Sequence, residues 1–141
     1  MHKQVALLCL LVSGCSGNSV PDSPVAIDAV QKNISIWHGK IVTVDGWLGK
    51  CQGYECQIFV SQAAAMANPE TQSYESSLRI GASDSFDRAA EELQFSRVLL
   101  KAQINKQCFD VGTCKDRADV LKPLSIAKWT ANSDSSKKVD Q

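Results

Sequence analysis

The chain has 141 residues, with 15 basic and 15 acidic side chains and two histidines. Its zero formal net charge argues against a nucleic-acid binder, which presents a basic face. The length suits one compact domain and is too short for two.

In chain order, Lys3 and the apolar stretch Val5, Ala6, Leu7, Leu8, Cys9, Leu10, Leu11 form the basic and hydrophobic parts of an export signal. Ser13, Gly14, Ser16, Gly17 and Asn18 interrupt it well short of the roughly 20 apolar residues that a membrane span requires. Residues 15–22 are small and polar and suit a flexible tether. Ser23 then reads as a helix N-cap with Pro24 at the first helical position, and Val25, Ala26, Ala29 and Val30 give one apolar side to a short helix over 23–33.

From Lys40 the period becomes two. Val42, Val44 and Leu48 alternate with Ile41, Thr43, Asp45 and Trp47, and Gly46 predicts a bulge or sharp bend in a long first strand. A hairpin between Cys51 and Cys56 leads to a return strand over 57–61, with Cys56, Ile58 and Val60 on one face and Phe59 on the other. Residues 62–76 read as a long excursion with one helical turn at 63–67. A third strand follows at 77–81. Ser83, Asp84 and Ser85 supply an N-cap for a helix whose apolar side is Phe86, Ala89, Ala90 and Leu93.

Val98, Leu100, Ala102 and Ile104 mark a fourth strand. A fifth spans 118–129, where Pro123 predicts an edge or a bulge. The polar tail 131–141 is expected to be disordered.

The six cysteines divide by position. Cys9 lies inside the apolar signal, and Cys15 follows it. Cys51, Cys56, Cys108 and Cys114 form an even set that, in an exported domain, reads as two disulfides. Spacing favours the local pairs, each closing a short loop worth about 2 kcal/mol by loop entropy, although entropy alone does not exclude pairing between the clusters.

Val12-Ser13-Gly14-Cys15, at this depth behind a basic and apolar stretch, resembles the lipobox of bacterial lipoprotein signal peptides. The resemblance implies cleavage after Gly14 and acylation of Cys15, with several acyl chains, palmitate among them, giving a firm membrane anchor. An ordinary signal with an incidental Cys15 is the alternative. Without residues 1–14 the 141-residue chain keeps 127 residues, carrying 14 basic and 15 acidic side chains. Ser16 after the lipid cysteine resembles lipoproteins delivered to the outer membrane, facing the periplasm, in a cell with two membranes.

Strand, strand, strand, helix, strand, strand is the order of an OB-fold barrel. The segment Gly39-Lys40-Ile41-Val42-Thr43-Val44-Asp45-Gly46-Trp47-Leu48 resembles the opening strand of small bacterial OB-fold proteins of the anticodon-binding-like type, of unknown function. Leu124-Ser125-Ile126-Ala127-Lys128-Trp129 resembles their closing strand. The expected fold is therefore mainly β with minor α: a five-stranded OB-fold-like barrel over 34–130, preceded by the short helix. Such a resemblance implies a shape and leaves the activity open.

In OB-folds, recognition uses the outer face of strands two and three with the loops joining strands one to two and four to five. The outward register places Trp47, Phe59 and Arg79 there, with Tyr54 and Phe109 at the tips of the stapled loops. These five are the candidate residues for a ligand or partner. The competing expectation is that the first helix or the 62–76 excursion covers them.

Redox chemistry fits poorly, since a low-pKa thiol pair is usually Cys-x-x-Cys at a helix start, and structural zinc pairs are usually closer than these. His38, the one histidine outside the signal, has no nucleophile at motif spacing and reads as a solvated turn residue. Glu91, Glu92, Asp84 and Asp87 read as helix-surface charges.

The sequence thus points to a lipid-anchored, non-enzymatic binding module of the cell envelope. It would hold a protein partner or small ligand, with no cofactor and no nucleic acid. A cysteine-based redox or metal-dependent enzyme and a purely structural envelope component are the alternatives.

Overall fold

The computed structural model describes residues 23–67, 76–109, 114 and 120–132. The expected signal and tether, Cys15 among them, the second part of the 62–76 excursion, and the tail from 133 lie outside these residues.

In chain order the elements are β1 (Val25–Ala26), α1 (Ile27–Lys32), α2 (Ile34–Trp37), β2 (Ile41–Leu48), β3 (Gln57–Phe59), α3 (Gln62–Met66), β4 (Ser77–Arg79), α4 (Asp84–Glu91), β5 (Arg97–Ile104), a 3-10 turn (Lys106–Cys108) and β6 (Leu121–Lys128). The protein is mainly β. Its sheet has six strands, one more than expected, in the order β4-β3-β2-β5-β6, antiparallel along that path, with β1 added parallel to β2. The edge strands β4 and β6 share no ladder. One parallel bridge between Ile80 and Leu121 spans them, beside a hydrogen bond from the Gly81 N–H to the Leu121 carbonyl at 2.8 Å.

Alternation dictates which face is buried. In β5, Val98, Leu100, Ala102 and Ile104 are buried while Arg97, Leu99, Lys101 and Gln103 turn the other way. In β2, Val42, Val44 and Leu48 do the same. Phe86 and Ala90 of α4 enter this core from the side opposite the outer face, and Ile27 and Val30 of α1 complete it. Ala89, expected on the apolar side of α4, is exposed, because residue 90 takes the core-facing position.

Several expectations are corrected. Ser23 caps no helix: Val25 and Ala26 pair with Val44 and Asp45 of β2, and α1 begins only at Ile27, with Ala26 as its N-cap residue. A free edge on β2 captures these two residues before the helix can start, and tertiary pairing overrides the local Ser-Pro signal. Gly46 causes no bulge, since the β2–β5 register runs unbroken from Ile41/Gln103 to Trp47/Arg97. The absent side chain serves close packing. A Cβ there would lie 2.4 Å from Ile27 Cδ1 and 2.9 Å from the Phe59 carbonyl oxygen. β3 ends at Phe59, so Val60 is exposed and not on the buried face.

At Pro123 the expected irregularity is present: Lys101 pairs with Ser125 and Ala102 with Pro123, leaving Leu124 as the extra residue. Both local disulfides form, Cys51–Cys56 and Cys108–Cys114.

Candidate functional site

The first stapled loop is a two-residue turn. Gln52 and Glu55 exchange backbone hydrogen bonds of 2.8 and 3.1 Å around Gly53 and Tyr54. Gly53, at φ 60°, takes the positive angle that a hairpin turn of this length requires at its first central position. The disulfide is buried at the base, and Tyr54 projects from the tip with 80% of its surface exposed.

The other four candidates do not share one open face. Trp47 is half-buried, in register with Phe59 on one side and Arg97 on the other. Arg79 is half-buried and its guanidinium donates to the Cys108 carbonyl, tying β4 to the second stapled loop. Phe109 packs against the core cluster and is no free loop tip. Phe59 lies on the outer side of β3 as its register predicts, yet only 1% of it is exposed.

Its cover is α3. Ser61 caps that helix, its hydroxyl accepting from the Ala64 N–H at 3.2 Å, and the five-residue helix folds back over β3. On the other side of the ring, Gly49 leaves the space that the Phe59 edge fills.

What remains open is a cleft of about 120 Å³ beside the stapled turn. Phe59 and Ala65 lie within it, Met66 and Phe95 border it, and Lys50, Glu55 and Gln57 supply its polar groups. Met66 and Phe95 are 62% and 41% exposed. Phe95 holds φ 60°, a left-handed conformation that an aromatic residue seldom adopts. It is fixed there by its N–H donating to the Leu48 carbonyl at 2.8 Å, one residue before the Ser96 carbonyl accepts from the Leu48 N–H.

Gln57 is held in turn by the Ser77 hydroxyl, which donates to its side-chain oxygen at 2.6 Å. Sequence reasoning missed Met66, Phe95 and Lys50. The Ala-rich run around Met66 carries no signal of which strand it will cover, and a left-handed Phe has none at all.

His38 sits away from this cleft. Its Nδ1 accepts from the Lys106 backbone N–H at 3.2 Å, a bond that joins the end of α2 to the 3-10 turn. Among the described residues all four cysteines are consumed in bridges, so none of these four offers a thiolate as nucleophile or metal ligand. A cleft of this size, with an apolar floor and a mixed polar rim, can take one small ring or one apolar side chain; a slightly larger apolar cavity, about 150 Å³, suffices for benzene.

No protein-family model matches the chain, and no curated protein and no solved structure shows significant similarity to it.

Proposed function

We propose that this chain is a lipid-anchored, non-enzymatic OB-fold binding module of the bacterial cell envelope. In this reading the cleft floored by Phe59 holds an apolar group of a protein partner or a small envelope ligand. The sheet order β4-β3-β2-β5-β6, the parallel Ile80–Leu121 bridge and the single helix between the third and fourth of the five main strands support the OB-type barrel. The resemblance of Val12-Ser13-Gly14-Cys15 to a lipobox supports the anchor.

One observation carries the binding reading: Phe95 is kept in a strained backbone conformation with its ring exposed at the rim of a cleft whose floor is another phenylalanine. Strain of about 1–3 kcal/mol persists where the surroundings enforce it, and it concentrates at functional positions. The bridge at Cys51–Cys56 restricts the turn that carries Tyr54 beside this cleft, which lowers the ordering cost of binding.

The test is in-cell photocrosslinking from a probe replacing Met66, with a probe replacing the exposed Glu92 just after α4 as control. A discrete band from position 66 alone is the expected result and identifies a protein partner by mass. Absence of that band, with no thermal stabilisation of the purified protein by small-molecule envelope extracts, would overturn the binding reading.

A further inference from the structure

No residue of β2, β5 or β6 lines the cleft, and β5 makes its extensive contacts with β2 and β6 alone. Two transverse rows occupy one end of the outer face of these three strands. Ile41, Gln103 and Lys122 form the first, and Thr43, Lys101 and Ser125 the second, with Leu124 added by the bulge. Ile41 and Leu124 are 41% and 50% exposed, and Lys101 and Lys122 are exposed without an ion pair among the described residues. The next row carries Asp45, whose carboxylate is neutralised by Arg97.

Charge of the other sign collects elsewhere. Asp84, Asp87 and Glu91 belong to α4, with Arg88 as its one basic residue, Glu92 ends it, and that helix inserts Phe86 and Ala90 into the core from the inner side of the sheet. A chain of zero formal net charge therefore presents an acidic helix across the core from a lysine-bearing sheet face.

We infer that this face rests on the anionic phospholipid surface of the membrane that carries the anchor. Ile41 and Leu124 enter the headgroup region, and Lys101 and Lys122 approach lipid phosphates. The inference rests on acylation at Cys15. From Cys15 to Val25, where the chain joins β2, ten residues span at most about 35 Å even when fully extended. That is close to the diameter of a small domain, about 30 Å. The tether thus keeps the whole domain near the bilayer and makes even weak attraction by this face effective. Lysines interleaved with isolated aliphatics suit a headgroup layer better than a protein interface, whose centre is depleted of lysine.

The mature chain would be reconstituted into vesicles of phosphatidylglycerol and phosphatidylethanolamine, and in parallel into phosphatidylcholine vesicles. Its intact mass first reports whether Cys15 is acylated. A fluorescent probe replacing Leu124 is then compared with one replacing Glu91, using a bilayer-embedded quencher. Quenching at 124 but not at 91, in the anionic vesicles alone, is the expected result. Lys101→Gln combined with Lys122→Gln should lower the docked-to-undocked ratio about 30-fold, from about 1 kcal/mol per lysine.

Equal quenching at both positions, or none at 124 in acylated protein, would overturn the inference and leave the anchor intact. An unmodified Cys15 would remove the anchoring reading instead. Vesicles added to that unanchored protein then test the face alone, and failure of the Leu124 probe to respond would reject it.

Discussion

On one side of β2, β5 pairs from Ile41/Gln103 to Trp47/Arg97 without a break, whereas on the other side β1 and β3 divide the strand between them. β1 takes Val44 and Asp45, and β3 takes Trp47 and Leu48. The first flank is built by repetition of one rule, core residue then surface residue. The second is assembled from distant pieces that meet around Gly46 and Phe59, and the candidate cleft lies on that flank. Regular pairing supplies a scaffold, and the irregular flank supplies surface shape for recognition.

The largest effect that would test this contrast is expected on the regular flank. Leu100 is fully buried, between Val44 and Ile126 in register. Leu100→Ala should lower unfolding free energy by about 3–4 kcal/mol through lost burial and a residual cavity. Urea unfolding with an unchanged slope would show that the whole domain bears the loss. A loss below about 1 kcal/mol would mean that the β5 flank is not the scaffold.

Gly46→Ala comes next, at about 2–3 kcal/mol, the range for forced overpacking. The added methyl would meet Ile27 Cδ1 at 2.4 Å and Ile58 Cγ1 at 2.8 Å, side-chain atoms that can shift, but also the Phe59 carbonyl oxygen at 2.9 Å, which belongs to the backbone. Amide exchange should therefore accelerate in α1 and β3 and stay slow in β5. Uniform acceleration would show that the two flanks are one cooperative unit.

How legible each flank was in the sequence follows from the same difference. The β5 pattern could be read because period two is a local property, and one buried face repeats it over eight residues. Pro123 was equally readable, since a residue without an N–H disturbs a ladder wherever it falls. At Gly46 the expected bulge is absent, because a sequence shows a missing side chain without showing what fills the space, here Ile27 from 19 positions earlier.

Alternation puts Phe59 opposite Ile58 on β3, but its exposure depends on where α3 folds. Nothing in Gln62-Ala63-Ala64-Ala65-Met66 specifies that location. Tyr54 was legible, because a short disulfide-closed turn with a glycine leaves its tip in solvent. The cleft was not legible, since its lining comes from Lys50, the 55–59 strand region, α3 and Phe95.

The smallest expected effect sharpens the contrast at the outer end of the regular flank. Arg97 grips Asp45 with two hydrogen bonds, Nε to Oδ1 at 2.9 Å and Nη2 to Oδ2 at 2.7 Å, while its guanidinium lies 4.2 Å from the centroid of the Trp129 ring. The arrangement looks strong, but the side chains of Arg97 and Asp45 are 40% and 23% exposed, so water competes for both charges. Discounted for that screening, Asp45→Asn should destabilise by about 0.5–1 kcal/mol, and a double-mutant cycle with Arg97→Gln should return a coupling of similar size that shrinks in high salt. Trp129 is also held independently, by its N–H donating to the Arg97 carbonyl at 2.9 Å, so the end of β6 should stay paired in the Asn variant. A coupling above about 2 kcal/mol, insensitive to salt, would place the pair in a desolvated environment. The outer face would then act as a second packed layer, and the distinction between scaffold and surface would fail where it is drawn most simply.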